Sequence, residues 1–105
     1  LFLNDGAASF TEAAAARGAA DGGKGMQVGF FDPDADGDMD IWVNNEQDTS
    51  TDPANPPLSW LKLYLNDGTG IFTEVGNARG LSQDSTENSR GVAFVDIEND
   101  GDLDV

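Results

Sequence analysis

Residues 30–43 read FFDPDADGDMDIWV, so that five aspartates alternate with other residues between two apolar segments. A second stretch, FVDIENDGDLDV at residues 94–105, has the same spacing of acids and the same glycine 64 positions later. Carboxylates about 6 Å apart repel by roughly 2–3 kcal/mol per pair at an effective dielectric constant of about 20. Each acidic loop therefore predicts a bound cation, and the apolar segments beside it predict two short strands.

The rest of the chain repeats with nearly the same period. LFLNDGAASFTEA at residues 1–13 matches LYLNDGTGIFTEV at residues 63–75, and Ala16-Arg17-Gly18 returns as Ala78-Arg79-Gly80. Both shifts are 62 residues, so the unit has 62 to 64 residues and the chain contains about one and two-thirds of it. Each unit has two predicted strand pairs, which is the strand number of one propeller blade. We therefore predict an all-β fold of four-stranded antiparallel blades, a fragment of a β-propeller.

The predicted blades divide the chain into three parts. Residues 1–24 are the second hairpin of one blade with a linker, residues 25–88 a complete blade, and residues 89–105 the first strand, the acidic loop and the start of the second strand of the next blade. The polar, proline-containing segment 44–59 has no periodicity and predicts an inserted surface loop. The opening at Leu1, without an initiator Met or a signal peptide, suggests a chain cut from something longer.

Composition limits the chemistry and the partners. Five Lys and Arg against twenty Asp and Glu give a net charge of −15, which argues against nucleic acid and anionic membranes as partners. No apolar run approaches the roughly 20 residues of a membrane helix, so we expect no membrane insertion. Cysteine and histidine are both absent, which excludes disulfides, thiol nucleophiles and imidazole bases. Oxygen atoms therefore remain as the donors that could bind a metal ion.

Oxygen donors at alternate positions around a glycine favour Ca²⁺ over Mg²⁺, because Ca²⁺ accepts about 6–8 oxygens in flexible geometry. An EF-hand is excluded, since its twelfth loop position requires Glu and here is Val43. An ordinary solvated acidic loop is the alternative. Glu98, with its longer side chain, predicts a weaker second site. The predicted ligands are the side chains of Asp32, Asp34 and Asp36, the carbonyl of Asp38 and the carboxylate of Asp40, and in the second loop Asp96, Glu98, Asp100, the carbonyl of Asp102 and Asp104.

The apolar residues suggest a core between blades. Met39 and Leu103 are predicted to point inward, and Trp42 is expected in the core. The phenylalanines with the same expected role are Phe10, Phe30, Phe31, Phe72 and Phe94. Trp60 is either a core residue or a stacking platform for a ligand.

Three segments together resemble a known family: GMQVGFFDPDADGDMDIWVNN at 25–45, LKLYLNDGTGIFTEVGNARGL at 61–81 and GVAFVDIENDGDLDV at 91–105. They are similar to the FG-GAP/VCBS repeat of integrin-α-like β-propellers, and look most like the cartilage acidic protein (ASPIC/UnbV) branch. The resemblance implies one calcium ion in each acidic loop, held by the ten residues named above, often seven blades in a ring, and an extracellular or cell-surface location. We expect the protein outside the cell, at the cell surface or in the periplasm.

The leading functional hypothesis is a calcium-binding extracellular propeller segment with a structural, adhesion or protein-binding role, in which calcium stabilises the fold and is not catalytic. The expected partners are other blades of the same protein, further copies of the chain, or an extracellular protein or glycan. Two alternatives stay open. The segment could be a non-catalytic part of a larger polysaccharide-acting enzyme, or a repeat that assembles into a surface layer or filament.

Overall fold

The computed structural model describes residues 1–46, 61–81 and 90–105, and within these the chain is all-β, with no α-helix. The strands form two antiparallel sheets, β1-β2 and β3-β4-β5-β6, as the sequence predicts. Two short 3₁₀ helices, Ala15–Arg17 and Asn77–Arg79, follow the two sheets. The strands are β1 (Phe2–Asn4), β2 (Phe10–Glu12), β3 (Gly25–Phe31), β4 (Asp40–Asn45), β5 (Leu61–Asn66) and β6 (Phe72–Glu74).

The repeated Asn-Asp-Gly sequence forms the turns of two hairpins. Gly6 and Gly68 have φ of 87° and 80°, a left-handed conformation that glycine adopts without strain. The side-chain oxygen of Asn4 accepts the Gly6 N–H at 3.0 Å, and that of Asn66 accepts the Gly68 N–H at 3.2 Å. These local bonds explain why β1-β2 and β5-β6 fold alike.

Alternation along the strands gives the four-stranded sheet two apolar faces. One face contains a buried cluster of Phe31, Trp42 and Leu63, which we call face B. The other contains Ile41, Val43 and Tyr64, which we call face A.

Residues 90–95, from the following unit, cover face B. Phe94 stacks on Phe31 with ring centroids 4.3 Å apart and meets Trp42 edge to face at 6.5 Å. Gly29 makes room for this ring, because a Cβ atom there would lie 2.5 Å from Phe94. Polar bonds fix the same contact: Val92 N–H donates to the Gln27 side chain at 2.9 Å.

Face A is covered less completely. Ala19 and Phe72 pack against it, while Phe30 is 61% exposed. The prediction of a core role for Phe30 is wrong for this chain, and the reason is positional. Phe30 corresponds to Phe94 in the next unit, and among the described residues no four-stranded sheet precedes β3 to receive it. Phe10, on β2, is exposed as well, contrary to prediction.

Two loop residues predicted to point inward do not. Met39 is 61% exposed and Leu103 is 43% exposed, and neither packs against a buried cluster. Trp42 and Phe31 are buried, in agreement with prediction, and Tyr64 is buried as well.

The second half-unit is less regular than the sequence suggests. The two strands predicted on either side of the second acidic loop are reduced to one bridge, Val95 with Asp104. The segment predicted as an inserted loop, 44–59, begins two residues later, since Asn44 and Asn45 are buried in β4. Residues 47–59 of that loop, together with Trp60 and the predicted boundary at residues 88 and 89, lie outside the described residues.

Candidate metal centre

The first acidic loop is wound around the carboxylate of Asp32. Its two oxygens accept the N–H groups of Asp36 at 3.2 Å and Gly37 at 2.9 Å. Ala35 and Gly37 have positive φ, 57° and 95°, which turns the chain back on itself. The loop thereby folds back onto the side chain of Asp32.

The second loop repeats this conformation almost bond for bond. Asp96 accepts the N–H groups of Asp100 at 3.1 Å and Gly101 at 3.0 Å. Asn99 and Gly101 have φ of 58° and 102°, matching the positions of positive φ in the first loop. Since the surroundings of the two loops differ, their shared shape is set by the local sequence.

Three carboxylates meet in the first loop. Oxygen atoms of Asp32, Asp34 and Asp40 lie within 4.8 Å of one another. Asp40 opens β4 and is 1% exposed; one of its oxygens accepts the Asn66 N–H at 2.6 Å, and the other, Oδ2, is buried without a hydrogen-bond partner. An unsatisfied buried carboxylate oxygen is costly. A cation between the three side chains would satisfy it, so the donor set fits Ca²⁺.

The electrostatics of Asp40 agree with this geometry. Burial raises the pKa of the Asp40 carboxyl, and the charges of Asp34, Asp36 and Asp32 raise it further, against the opposing hydrogen bond from Asn66. Without a cation, burial and the neighbouring charges therefore disfavour the ionised form of Asp40. A divalent cation would favour the ionised form by the same Coulombic reasoning.

The other predicted ligands of the first loop are placed differently. Asp36 and Asp38 lie outside the set of three converging carboxylates. Asp36 accepts the Asp38 N–H at 2.9 Å. The carboxylate of Asp38 points toward the turn of the β5-β6 hairpin. Its Oδ2 lies so close to Gly68 that a Cβ atom added there would be 2.7 Å away.

The second loop does not bring three acidic side chains together within the described residues. Asp104, the counterpart of Asp40, instead accepts the Ile97 N–H at 2.9 Å through its Oδ2. The pKa of Asp102 is raised by its side-chain hydrogen bond with Asp100 and by neighbouring charges. Asp40 is buried beside β5, whereas no described strand lies beside Asp104. Loop shape is thus local, but the convergence of Asp104 with Asp96 and Glu98 requires a neighbouring strand.

Asn66 is the part of the site that sequence reasoning missed. It lies 26 residues after Asp40, and its backbone N–H holds the carboxylate while its side chain donates to the Met39 carbonyl at 3.2 Å. The sequence does mark Asn66 in one way, because it begins an Asn-Asp-Gly turn that also occurs at Asn4. Only the strand register shows that this turn reaches the acidic loop.

Comparison with known proteins adds one positive finding. The family model described as FG-GAP-like repeat matches residues 47–105, which is 59 of 105 residues and more than half of the chain. The chain belongs to the FG-GAP-like repeat family. No curated protein and no solved structure gives a significant match.

The FG-GAP-like match extends from the second half of the complete unit through the second acidic loop. An FG-GAP-like repeat is a structural or protein-binding repeat and generally non-catalytic. The more specific resemblance to the cartilage acidic protein branch stays a prediction. No helix in the described part of the chain is long and apolar enough to cross a membrane.

Proposed function

We propose that this FG-GAP-like chain is a calcium-stabilised, non-catalytic propeller segment with a structural or adhesive role outside the cell or in the periplasm. The observation that carries the calcium assignment is the buried, unpaired Oδ2 of Asp40 facing two further carboxylates. Asp32, Asp34 and Asp40 would hold the ion, together with oxygens of Asp36 and Asp38. The ion would supply positive charge to the loop and take no part in a reaction.

Calcium would act on stability through mass action. Extracellular modules bind calcium with dissociation constants of about 10⁻⁴–10⁻³ M. At about 2 mM calcium, binding to the folded state alone would then add roughly 0.7–1.8 kcal/mol to the free energy of unfolding. Sites of this strength suit a compartment with millimolar calcium, which is why we propose the extracellular or periplasmic location.

A thermal melt in three conditions tests the calcium assignment. We expect the melting temperature to rise by several degrees from excess chelator to 2 mM calcium, roughly 4–8 °C per kcal/mol, and to recover poorly with magnesium. The Asp34→Asn variant should lose most of the increment.

Asp5→Asn is the matched control, because Asp5 carries the same charge in an exposed turn and caps Ala7 and Ser9 at 2.8 and 3.2 Å. Its calcium increment should equal that of the wild type. Equal melting temperatures in chelator and in calcium would remove the calcium assignment.

A further inference from the structure

The turn of the β5-β6 hairpin, residues 66–70, contacts two segments that precede it in the chain. One is the first acidic loop, and the other is the linker between the two sheets, which contributes Arg17. We propose that Arg17 is a positioning residue for the first metal centre, and that it acts through the 66–70 turn and couples calcium binding to docking of the linker. This inference rests on the proposed calcium role, and it names a residue that tunes the affinity of that site.

The acidic loop holds the beginning of the turn. The Asn66 N–H donates to Asp40 at 2.6 Å, and the Asn66 side chain donates to the Met39 carbonyl at 3.2 Å. The carboxylate of Asp38 lies against Gly68 in the same turn. A cation that fixes the carboxylate of Asp40 would therefore also fix the position of Asn66.

One peptide group carries this contact across the turn. Its N–H, which belongs to Gly70, donates to the side-chain oxygen of Asn66 at 3.0 Å. Its carbonyl, which belongs to Thr69, accepts a hydrogen bond from the Arg17 guanidinium at 2.9 Å. Because a peptide group is planar and rigid, its N–H and C=O cannot move independently. Asp40, Asn66 and Arg17 are thus joined by an unbroken series of hydrogen bonds.

Internal bonds make the turn stiff. The carboxylate of Asp67 accepts the N–H groups of Thr69 at 2.9 Å and Ile71 at 3.3 Å, and the Thr69 hydroxyl at 2.6 Å. The side-chain oxygen of Asn66 also accepts the Gly68 N–H at 3.2 Å. A turn with this many internal bonds moves as one body, so a displacement of Asn66 shifts the carbonyl that Arg17 contacts.

Arg17 belongs to a linker that is docked on the same hairpin at further points. Gly18 lies so close to β6 that a Cβ atom there would clash with the Phe72 carbonyl oxygen. The Tyr64 hydroxyl donates to the Ala20 carbonyl at 3.4 Å. Since the linker joins β2 to β3, its docking helps to set how the β1-β2 hairpin lies against the four-stranded sheet. Calcium binding would stabilise that arrangement.

The sign of the effect distinguishes positioning from simple electrostatics. Arg17 is a cation, so its removal makes the surroundings of the acidic loop more negative and, by Coulomb's law alone, would strengthen calcium binding. Loss of positioning would weaken calcium binding, because the turn would be freer to move away from Asp40. The two roles therefore predict opposite changes in the calcium dissociation constant.

The coupling must be reciprocal. If the docked linker raises the calcium affinity by some factor, calcium raises the equilibrium constant for docking by the same factor. Coupling between two sites of one protein commonly changes affinity by about 5–150-fold. The stronger of the two Arg17 bonds is exposed to solvent, so we expect a value at the lower end, about fivefold.

Calorimetric titration with calcium, well below the melting temperature, tests the inference. We expect Arg17→Ala to raise the calcium dissociation constant about fivefold, and Arg17→Lys, which keeps the charge and can still donate to the turn, to raise it less. Lys62→Ala is the matched control, because it removes one positive charge from the same hairpin, where Lys62 pairs with Glu74 at 3.8 Å. Its affinity should equal or slightly exceed that of the wild type. An Arg17→Ala variant that binds calcium as tightly as the wild type would overturn the proposal.

Hydrogen exchange of the wild-type chain gives a second measurement that needs no variant. The Ala19 N–H, bonded to the Ala14 carbonyl at 2.9 Å, should exchange about fivefold more slowly in saturating calcium than in chelator. The Asp5 N–H, bonded to the Ser9 carbonyl at 3.0 Å in the β1-β2 turn, should exchange at the same rate in both. Calcium protection confined to residues 32–40, or equal slowing of the Ala19 and Asp5 amides, would contradict the coupling.

The proposed function and this inference fail in different measurements. A wild-type chain that binds no calcium would remove the calcium role, and the role of Arg17 with it. A wild-type chain that binds calcium with an affinity that does not depend on Arg17 would remove only the inference about Arg17.

Discussion

Replacement of Asp40 by Asn should stabilise the chain without calcium and lose some or all of that advantage with calcium. The variant keeps an oxygen to accept the Asn66 N–H, and its new N–H₂ group can donate to the facing carboxylates of Asp32 and Asp34, while one negative charge is lost. At 4.8 Å and an effective dielectric constant of about 20, each pair of charges repels by about 3 kcal/mol. Water around the exposed Asp34 reduces this. We expect Asp40→Asn to stabilise the metal-free chain by about 1–3 kcal/mol.

With calcium, the difference in stability between Asp40→Asn and the wild type should shrink or reverse sign, because the wild type gains binding energy and the variant has lost a ligand. Urea denaturation in chelator and in 2 mM calcium measures both effects on the same samples, and Asp5→Asn controls for the change in net charge. A variant that is destabilised in chelator and keeps the full calcium increment would refute the reasoning, because it would show that Asp40 is held by protein contacts alone.

Three further predictions use repeated residues or the titration of a buried group. Phe94→Ala should cost about 2–4 kcal/mol, because it removes a ring stacked on face B. Its counterpart Phe30→Ala should cost less than about 0.5 kcal/mol, because Phe30 is exposed. Equal losses of stability in urea denaturation would contradict the exposure of Phe30. Gly80→Ala should cost about 1–2 kcal/mol, because Gly80 has a positive φ. Gly18→Ala should cost more, because Gly18 also has a positive φ and a Cβ atom there would clash with β6. Thermal melts of the two variants check which is the less stable. Burial raises the pKa of Tyr64 to about 12, and Asp21 and Glu74 add to the shift. The stability that the neutral phenol contributes is therefore complete below pH 10 and is lost as the pH rises toward 12, by at most about 1.4 kcal/mol per pH unit. Tyr64→Phe should lack this part of the pH dependence of stability in urea titrations at pH 9 and 11.

The predicted hairpins and acidic loops depended on short stretches of sequence, and they agree well with the structure. Asn4 and Asn66 bond to glycines two residues later, and Asp32 and Asp96 bond to N–H groups four and five residues later. Interactions over so few residues form the same way wherever the sequence recurs. The period of the repeat similarly gave the order of strands before any pairing was known.

Burial could not be predicted from that pattern. Phe30 and Phe94 occupy equivalent positions, yet one is exposed and the other stacks on Phe31. A strand pattern shows that a side chain is apolar and which face it shares, but the neighbour that covers the face comes from another unit. Met39 and Leu103 were placed in the core for the same lack of information, since a loop residue has no strand parity to fix its direction.

The amino-acid sequence by itself determined the repeat, the hairpin turns and the wound shape of both acidic loops, because each depends on bonds between residues a few positions apart. Only the tertiary structure decided that Asp40 is buried beside Asn66 and that Asp104 has no such neighbour, because the distance between β4 and β5 along the chain is bridged by strand pairing. The acidic spacing is common to both loops, and the neighbouring strand makes one of them a centre of three converging carboxylates.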